Sequence, residues 1–344
     1  MKMTIYDVAE KAGVSISTVS RVINNTGRIS DKTRRMVLRV MEEMDYHPNV
    51  HASALTGKKT NMIGLITLIT PDISNPFFGE LAKSIEDSAG VLGFHIIICS
   101  TDYQPEKETK YFSMLRQKQA DGIIFATGLD HDDSVTALDD IVKSGIPLAM
   151  ITQDKPLAPM DVVIIDDFLG GYTAAEHLIS LGHERIACIV GNGSTTGERD
   201  RIKGFQKAMR EAGMTLDESL IIPTEYSLES GKQAAGELFD RDLPTAVFAF
   251  NDVLSCAAIQ AARSRGIRVP EDLSVIGFDN TILAEMTAPP LTTISQPIRE
   301  MGRRVVELLI DEIQGKKKTK SKIILSPELV IRHSTAPVKT RPQQ

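Results

Sequence analysis

The chain has 344 residues, of which 42% are hydrophobic and 24% are charged, a balance typical of a globular protein with a substantial apolar core. No apolar stretch approaches the roughly 18 residues that a membrane-spanning helix requires, and the first residues lack the apolar segment of a secretory leader. These features argue against an integral membrane or secreted protein, and we expect a cytoplasmic one.

Charge is distributed unevenly along the chain. Residues 1–60 contain ten Lys and Arg residues against six Asp and Glu residues, a net charge of +4, whereas the whole chain carries −6 at neutral pH. The remaining residues therefore carry −10. A basic N-terminal part on an acidic body is typical of a protein whose N-terminal part contacts nucleic acid.

The three cysteines, Cys99, Cys188 and Cys256, are widely separated, and each stands among apolar neighbours. Neither their odd number nor their spacing fits a disulfide framework or a metal site. We therefore interpret them as buried, unreactive thiols, and we expect no metal and no cofactor.

Three short helices are predicted near the N-terminus. Thr4 is a favourable N-cap, and Gly13 ends the first helix because glycine adopts the left-handed conformation that a helix end requires. Ser15 caps a second helix over residues 16–23, and a third follows over residues 31–44. Two helices joined by a short, glycine-containing turn form the helix-turn-helix pattern, which a three-helix bundle without a partner would share. The second helix carries short hydrogen-bonding and basic side chains, and these favour contact with DNA.

A short segment, Asn49–Gly57, follows Pro48 and is bounded by residues that start and end helices. A helix of this length falls below the roughly 12–15 residues that hold together alone in water. We expect it to fold only when another surface packs against it.

From Met62 onward, short apolar runs alternate with amphipathic stretches such as 79–92 and 204–212. Near-continuous apolar strands separated by helices indicate parallel sheets that are covered on both faces. The number of these units predicts an α/β fold of two doubly wound parallel-sheet subdomains, with a ligand cleft at the carboxyl ends of the strands. The predicted strands are MIGLITLI (62–69), FHIIIC (94–99), GIIFA (122–126), LAMIT (148–152), VVII (162–165), IACIV (186–190), AVFAF (246–250) and SVIGF (274–278).

Motifs along the whole chain resemble those of the LacI/GalR family of bacterial transcription regulators. TIYDVA (4–9), GVS (13–15) and TVSRV (18–22) match the DNA-binding head of that family. Further matches follow in family order over the rest of the chain: PDISNPFF (71–78), HLISLGHERIA (177–187), RIKGF (201–205), PTAVFAFND (244–252), VIGFDN (275–280) and PPLTTISQP (289–297).

The resemblance implies a helix-turn-helix head, a hinge helix and a periplasmic-binding-protein-like core of two subdomains. It also implies a homodimeric repressor that binds a near-palindromic double-stranded DNA operator. The C-terminal tail contains no leucine heptads, so we expect a dimer and not a tetramer. The predicted boundaries are 1–48 for the helix-turn-helix domain, 49–58 for the hinge helix, 61–160 with 293–323 for the core N-subdomain, and 161–290 with 324–338 for the core C-subdomain.

The resemblance also places residues of the second helix and of the hinge on DNA. Ile16, Ser17 and Thr18 would face base edges in the major groove, and Arg21 would contact a guanine or a phosphate. Leu55 would insert between central base pairs and bend the duplex. The complete set of predicted DNA-binding residues is Thr4, Ser15, Ile16, Ser17, Thr18, Ser20, Arg21, Asn24, Asn49, Ala52 and Leu55.

A small polar effector in the core cleft is the third implication of the resemblance. Arg201 would hold a carboxylate, a phosphate or a sugar hydroxyl with paired donors, and Asp279 would accept from hydroxyl or amino groups. Binding would change the closure of the subdomains and thereby the order of the hinge helices. The predicted effector-binding residues are Phe77, Phe78, Thr152, Thr196, Arg201, Tyr226, Asn251 and Asp279.

Three other functions are compatible with parts of the sequence. Gly191, Gly193 and Gly197 suggest a dinucleotide loop, but their spacing is GxGxxxG and no helix is predicted directly after them, so we expect no enzymatic activity. A periplasmic sugar-binding protein would share the core but not the basic head. A protein corepressor in place of a small effector is the third alternative.

Overall fold

The computed structural model describes residues 3–23, 27–46, 62–67 (backbone only), 73, 75–101, 104, 106–107, 110–111, 120–126, 142–152, 160–191, 195–241 and 243–338. The chain divides into two compact units, Met1–Thr60 and Asn61–Gln344. Over the described ranges, we find no helix that is both long enough and apolar enough to cross a membrane.

The N-terminal unit contains three helices, α1 (Ile5–Lys11), α2 (Ile16–Ile23) and α3 (Asp31–Glu43). Their apolar faces meet in a small core of valine and alanine side chains, in which Val8, Val19 and Val37 are fully buried. The three predicted helices are confirmed. The spacing of apolar residues is what places these side chains on one face of each helix.

In the described part of the core unit, one sheet has six parallel strands. They are β1 (Met62–Thr67), β2 (His95–Ser100), β3 (Gly122–Phe125), β4 (Leu148–Ile151), β5 (Asp161–Ile165) and β11 (Lys322–Leu325). Their order across the sheet is β11-β5-β4-β3-β1-β2. Two helices, α4 (Pro76–Val91) and α10 (Ile298–Ile313), pack on this sheet and against each other.

The second six-stranded sheet is parallel except at one edge. Its strands are β6 (Ile186–Val190), β7 (Ile221–Pro223), β8 (Ala246–Ala249), β9 (Ser274–Asp279), β10 (Thr292–Ser295) and β12 (Glu328–Val330). The order is β12-β10-β9-β8-β6-β7, and β12 is antiparallel to β10. The helices that follow its strands or precede them are α5 (Asp167–Ser180), α6 (Thr196–Glu211), α7 (Leu228–Arg241), α8 (Asp252–Ser264) and α9 (Ile282–Met286), and a short 3₁₀ turn spans Glu218–Leu220.

Successive side chains along the strands of the second sheet enter two different cores. Phe248 and Ile276 belong to the cluster that contains Phe205 of α6, whereas Val247 belongs to the cluster that contains Leu254 of α8. Both faces of the sheet are therefore covered by helices, as the near-continuous apolar runs predict. Each of the eight predicted strands coincides with an observed strand.

The predicted subdomain boundaries differ from the observed strand pairing. Within the described residues, the chain passes between the two sheets after β5, β10 and β11. The predicted boundaries assign β5 and the end of β11 to the C-subdomain, but these strands pair with each other and β5 pairs with β4. The predicted boundaries also assign β10 to the N-subdomain, but β10 pairs with β9 in the second sheet. The partner of a strand determines its sheet, and an apolar run does not reveal that partner.

Helix α6 begins well before its predicted start at residue 204. The Thr195 hydroxyl accepts a hydrogen bond from the N–H of Glu198, and the Glu198 carboxylate accepts from the N–H of Thr195. This capping box starts the helix at Thr196. The prediction that no helix follows the glycine loop is therefore wrong, and the argument against a dinucleotide loop depends on the glycine spacing.

Helices α5 and α6 cross at a distance that only glycine permits. A Cβ atom on Gly171 would lie 2.0 Å from the carbonyl oxygen of Arg201, and one on Gly204 would lie 1.9 Å from that of Phe168. Both obstructing atoms are backbone atoms, which cannot rotate away. The crossing therefore fixes the first turns of α6 against the first turns of α5.

We expect Gly204→Ala to lower the free energy of unfolding by more than about 2 kcal/mol, because the added methyl group forces the two helices apart. Urea unfolding measures this change. Gly90→Ala is the matched control, since Gly90 lies in α4 with open space around its Cβ position. That control should be neutral or stabilise the protein by up to about 1 kcal/mol. Equal effects of the two variants would contradict the close crossing.

Candidate functional site

Local hydrogen bonds build the turn between α1 and α2. The N–H and the hydroxyl of Thr4 each donate to the Asp7 carboxylate at 2.7 Å, and these bonds lower the pKa of Asp7. Gly13 has a φ of +62°, the left-handed conformation that ends α1. Ser15 Oγ accepts from the N–H of Thr18 at 3.2 Å and starts α2. Thr4 and Ser15 therefore act as helix caps, and their contact with DNA stays a prediction.

The first turn of α2 presents both apolar and polar side chains away from the core. Val19 and Val22 are buried, whereas Ile16, Ser17 and Arg21 are exposed. Ile16 is 41% exposed, although a large apolar side chain gains most by burial. This surface has the composition that base edges and thymine methyl groups require of a protein.

Thr18 and Ser20 are half-buried on the same helix. The Thr18 hydroxyl lies 2.9 Å from that of Ser15, so it can both support the cap and face outward. The remaining predicted DNA-binding residues lie outside the described residues: Asn24, Asn49, Ala52 and Leu55.

In the core unit, polar side chains gather at the carboxyl ends of β6, β8 and β9, where α6, α8 and the segment after β9 begin. This edge of a doubly wound sheet is where ligands bind. Arg201, Tyr226, Asn251 and Asp279 lie at this edge, and Arg201 is close enough to Tyr226 and Asp279 to shift the pKa of each. The structure therefore brings these four predicted residues together.

Arg201 is held on three sides. Its Nε donates to Asp167 Oδ1 at 2.7 Å, its Nη1 donates to the carbonyl oxygen of Phe250 at 2.5 Å, and its Cζ lies 3.5 Å from the centroid of the Phe278 ring. Burial would lower the pKa of Arg201, but the carboxylates of Asp167 and Asp279 raise it above its ordinary value. The guanidinium therefore stays charged in a site that largely excludes water.

Tyr226 and Glu198 form a second buried pair, in which the Tyr226 hydroxyl donates to Glu198 Oε1. Burial, followed by the charge of Glu198, raises the pKa of Tyr226 well above its ordinary value. The phenol therefore stays protonated and remains a donor. A Cβ atom on Gly191 would lie 1.9 Å from the Glu198 carboxylate, so only glycine at the end of β6 leaves room for this pair.

Asp252 follows β8, and Asp279 is the last residue of β9. Asp252 accepts from the N–H and the hydroxyl of Thr281 at 2.7 and 2.9 Å and from the Thr293 hydroxyl at 2.8 Å, and burial raises its pKa to about 6. Asp279 accepts from Gln296 at 2.6 Å. Burial, and next the charge of Asp252, raise the pKa of Asp279 well above its ordinary value. Asp279 also has a φ of +109°, which is strained for a residue with a side chain.

Thr152 and Thr196 follow strands of different sheets but line one cavity of about 230 Å³, which Asp166, Asp167 and Asp200 also line. Thr152 has a φ of +75°, an uncommon conformation for a β-branched residue. Its Oγ1 is buried and has no hydrogen-bond partner among the described residues. A hydroxyl in this state is available to a ligand.

Structural roles account for three of the predicted residues. Asn251 Oδ1 accepts from the N–H of Leu254 at 2.8 Å and caps α8. Phe77 is 5% exposed and belongs to the core, while the half-buried Phe78 meets it edge to face with ring centroids 5.0 Å apart. Contact of these three side chains with an effector stays a prediction.

Two carboxylates at this site are absent from the prediction: Asp167 and Glu198. Asp167 lies two residues after the predicted strand that ends at Ile165, close to the position that Asp279 has after the strand ending at Phe278. The pair Thr195 and Glu198 has the spacing of a capping box, which would have indicated a helix start at the cleft. These patterns were present in the sequence, so the residues could have been found.

Parts of both units match models of known protein families. Residues 4–49 match the model "Bacterial regulatory proteins, lacI family", and residues 175–335 match the model "Periplasmic binding protein-like domain". The HTH-type transcriptional regulator DegA of Bacillus subtilis (strain 168) is 68% identical over 340 residues, which covers 99% of this chain and 100% of that protein.

Two solved structures share the fold of the chain. A lac repressor dimer bound to operator and the anti-inducer ONPF aligns with a TM-score of 0.86 and 29% identity over 98% of this chain and 100% of that one. The complex of the transcriptional regulator CelR with cellobiose aligns with a TM-score of 0.74 and 31% identity over 96% of this chain and 99% of that one. The comparisons support the predicted fold class and the predicted role in transcription regulation.

We expect Asp279→Asn to change the pH dependence of stability. Because the folded-state pKa of Asp279 is raised, its carboxyl favours folding while protonated, and this contribution is lost as pH rises through the folded pKa. The free energy of unfolding of the unmodified protein should therefore fall relative to that of Asp279→Asn as the pH rises above 3.8, the ordinary pKa of the group.

Urea unfolding at several pH values measures this difference, and Asp240→Asn is the control. Asp240 is exposed, and its hydrogen bond with Arg265 lowers its pKa, so its contribution should be constant over the same range. A difference between the unmodified protein and Asp279→Asn that does not vary with pH would contradict the raised pKa.

Proposed function

This chain belongs to the lacI family of bacterial regulatory proteins, and we propose that it is a repressor that binds a near-palindromic operator as a homodimer under the control of a small polar effector. The observation that carries the proposal is the exposed face of α2, where Ile16 and Ser17 in the first turn and Arg21 in the last are exposed on a helix whose opposite face packs in the core of the N-terminal unit. The net charge of +4 on residues 1–60 supports attraction to the phosphate backbone.

In this proposal, α2 lies in the major groove. Ile16 contacts a thymine methyl group, the hydroxyls of Ser17 and Thr18 bond to base edges, and Arg21 donates to a guanine or a phosphate. Backbone contacts from the caps Thr4 and Ser15, together with Ser20 and Asn24, hold the helix in register.

The hinge segment 49–58 contacts the minor groove in the same proposal. Leu55 inserts between central base pairs, Ala52 leaves space for the close approach, and Asn49 bonds to the backbone. A helix of this length is marginal in isolation, so it folds against DNA or against its copy in the dimer. This dependence makes the segment a suitable element for a switch.

Exposed apolar side chains in the core unit support the homodimer. Met286 in α9 is 73% exposed, and Leu228 at the start of α7 is also exposed. Both line a cavity of about 750 Å³ together with Ile259 of α8. An apolar surface of this kind is typical of one that another protein covers. The lac repressor relative was solved as a dimer on its operator.

The effector binds at the carboxyl ends of the strands, between Arg201 and Asp279. Binding changes the relative closure of the two sheets, and the closure changes the order of the hinge helices. The relative CelR was solved with cellobiose, which supports a small polar ligand in a core of this fold. We place the protein in the cytoplasm, where the operator is found and where its three buried cysteines remain reduced.

Selection of bound sequences from random DNA tests the proposal. At one fixed salt concentration, we expect enrichment of an inverted repeat whose half-sites lie about one helical turn, or roughly 10 base pairs, apart. Arg21→Ala should lower affinity for the selected site by about 1–3 kcal/mol and relax base preference at one position of each half-site.

Lys32→Ala is the matched control for Arg21→Ala, since Lys32 is an exposed cation on α3 outside the α2 surface. It should weaken binding without changing base preference. Enrichment of no inverted repeat by the full-length chain would contradict the proposed function.

Leu55→Ala tests the hinge contact. It should reduce the ratio of specific to non-specific DNA affinity at least about tenfold, because the wedge that bends the operator is lost. Fluorescence anisotropy on the selected operator and on random DNA measures the ratio, and circular dichroism verifies that the head stays folded. An unchanged ratio would remove the wedge role of Leu55.

A further inference from the structure

The ion pair between Asp167 and Arg201 determines which ligands the cleft accepts. Asp167 is the first residue of α5 and Arg201 lies on α6, and the close crossing of these helices holds the Nε atom of the guanidinium 2.7 Å from the carboxylate. Both side chains are largely buried. An anionic ligand group would have to replace this carboxylate or bring a further negative charge beside it.

The other contacts of Arg201 leave it little freedom to turn toward an anion. Its Nη1 donates to the carbonyl oxygen of Phe250, and the Phe278 ring covers one face of the guanidinium. The fork of a free arginine holds a phosphate or a carboxylate with two parallel bonds. Here Nε is already bonded to Asp167 and Nη1 to the backbone, so neither edge of the fork has both of its nitrogens unengaged.

The helix N-termini at the cleft carry their own negative charges. Asp167 lies in the first turn of α5, Glu198 in the first turn of α6 and Asp252 in the first turn of α8. A bare helix N-terminus attracts anions, but a carboxylate in the first turn neutralises this attraction. Asp279 adds a fourth buried carboxyl group at this edge, and Asp167 and Asp279 are the two of the four that act on the pKa of Arg201.

Groups that can accept hydrogen bonds are present in the cavity beside the pair. The Thr152 hydroxyl oxygen is buried without a partner among the described residues, and the carboxylate of Asp167 lines the same cavity of about 230 Å³. Lys322 also lines it, but its side chain is exposed to solvent. The cavity therefore offers acceptors to a ligand, and three aspartates, Asp166, Asp167 and Asp200, line it.

We propose that Asp167 sets the charge class of the effector: by holding Arg201 it excludes phosphorylated and carboxylated ligands and selects a neutral or cationic ligand rich in hydroxyl or amino donors. This inference rests on the proposed function only in that the cleft is taken as the effector site. The sequence allows Arg201 to bind a carboxylate, a phosphate or a sugar hydroxyl. Because Asp167 already occupies the guanidinium, we exclude carboxylates and phosphates as ligands.

Sulfate, a stable divalent anion, serves as the probe in a test on the full-length chain. The melting temperature is measured over a range of sodium sulfate concentrations at constant ionic strength, and a site appears as a saturable increase. The unmodified protein should show no saturable increase. Asp167→Asn keeps the size of the side chain but frees the charge of Arg201, so it should show a saturable increase, and the double variant Asp167→Asn/Arg201→Met should lose it.

Asp200→Asn is the matched control, because Asp200 lines the same cavity and makes its ion pair with Lys203 instead. It changes the net charge equally and should respond like the unmodified protein. If sulfate raised the melting temperature of Asp200→Asn as much as that of Asp167→Asn, the proposed role of the ion pair would be overturned.

A saturable increase in the melting temperature of the unmodified protein with sulfate would by itself overturn the inference. The test therefore stays decisive even if Asp167→Asn does not fold. Neither result bears on operator selection. The proposed function fails if no inverted repeat is enriched, whereas this inference fails through the sulfate titration.

Discussion

The contact on which the core depends is the crossing of α5 and α6, where Gly171 and Gly204 let two backbones meet. The crossing brings Asp167 to Arg201, and Arg201 in turn reaches the carbonyl group of Phe250 and the ring of Phe278 at the ends of two strands. One steric constraint therefore links two helices, two strands and the charge of the cleft. A larger residue at either glycine would disturb all of them.

The N-terminal unit depends on smaller but similar constraints. Its core is made of valine and alanine side chains, and each helix cap adds about 1 kcal/mol to the stability of its helix. Thr4 and Ser15 start the two helices of the DNA-binding motif, and Gly13 turns the chain between them. Because these residues fix the start of α2, Ile16 and Ser17 are presented on its exposed first turn. The caps thus serve both folding and the proposed contact with DNA.

Much of this fold could be predicted because its elements are marked locally. Apolar runs identified eight strands, and Thr4, Ser15 and Gly13 marked the ends of the first helices. Strand partners could not be predicted, since the run from residue 162 to 165 has the same composition whichever sheet it joins. Helix α6 starts before the predicted residue 204 because the Thr195–Glu198 capping box begins it at Thr196, and Gly204 inside the helix is required by the approach of the Phe168 backbone.

The candidate site shows the same division between local and long-range information. The resemblance to the family indicated Arg201 and Asp279, but only the structure shows that Asp167, 34 residues before Arg201 in the chain, forms an ion pair with it. Similarly, Asn251 and Phe77 looked like ligand contacts, and the structure gives them a cap and a core position. A polar residue near a strand end indicates that a ligand site could lie there, but the hydrogen-bond and ion-pair partners of its side chain decide which ligands it can bind.

A double-mutant cycle between Asp167 and Arg201 tests the central claim most directly. The free energies of unfolding of the unmodified protein, Asp167→Asn, Arg201→Met and the double variant are measured by urea denaturation at neutral pH. If the buried ion pair organises the cleft, the two substitutions should couple by more than about 1.5 kcal/mol. Additivity within about 0.5 kcal/mol would show that the two side chains act independently and would contradict the account.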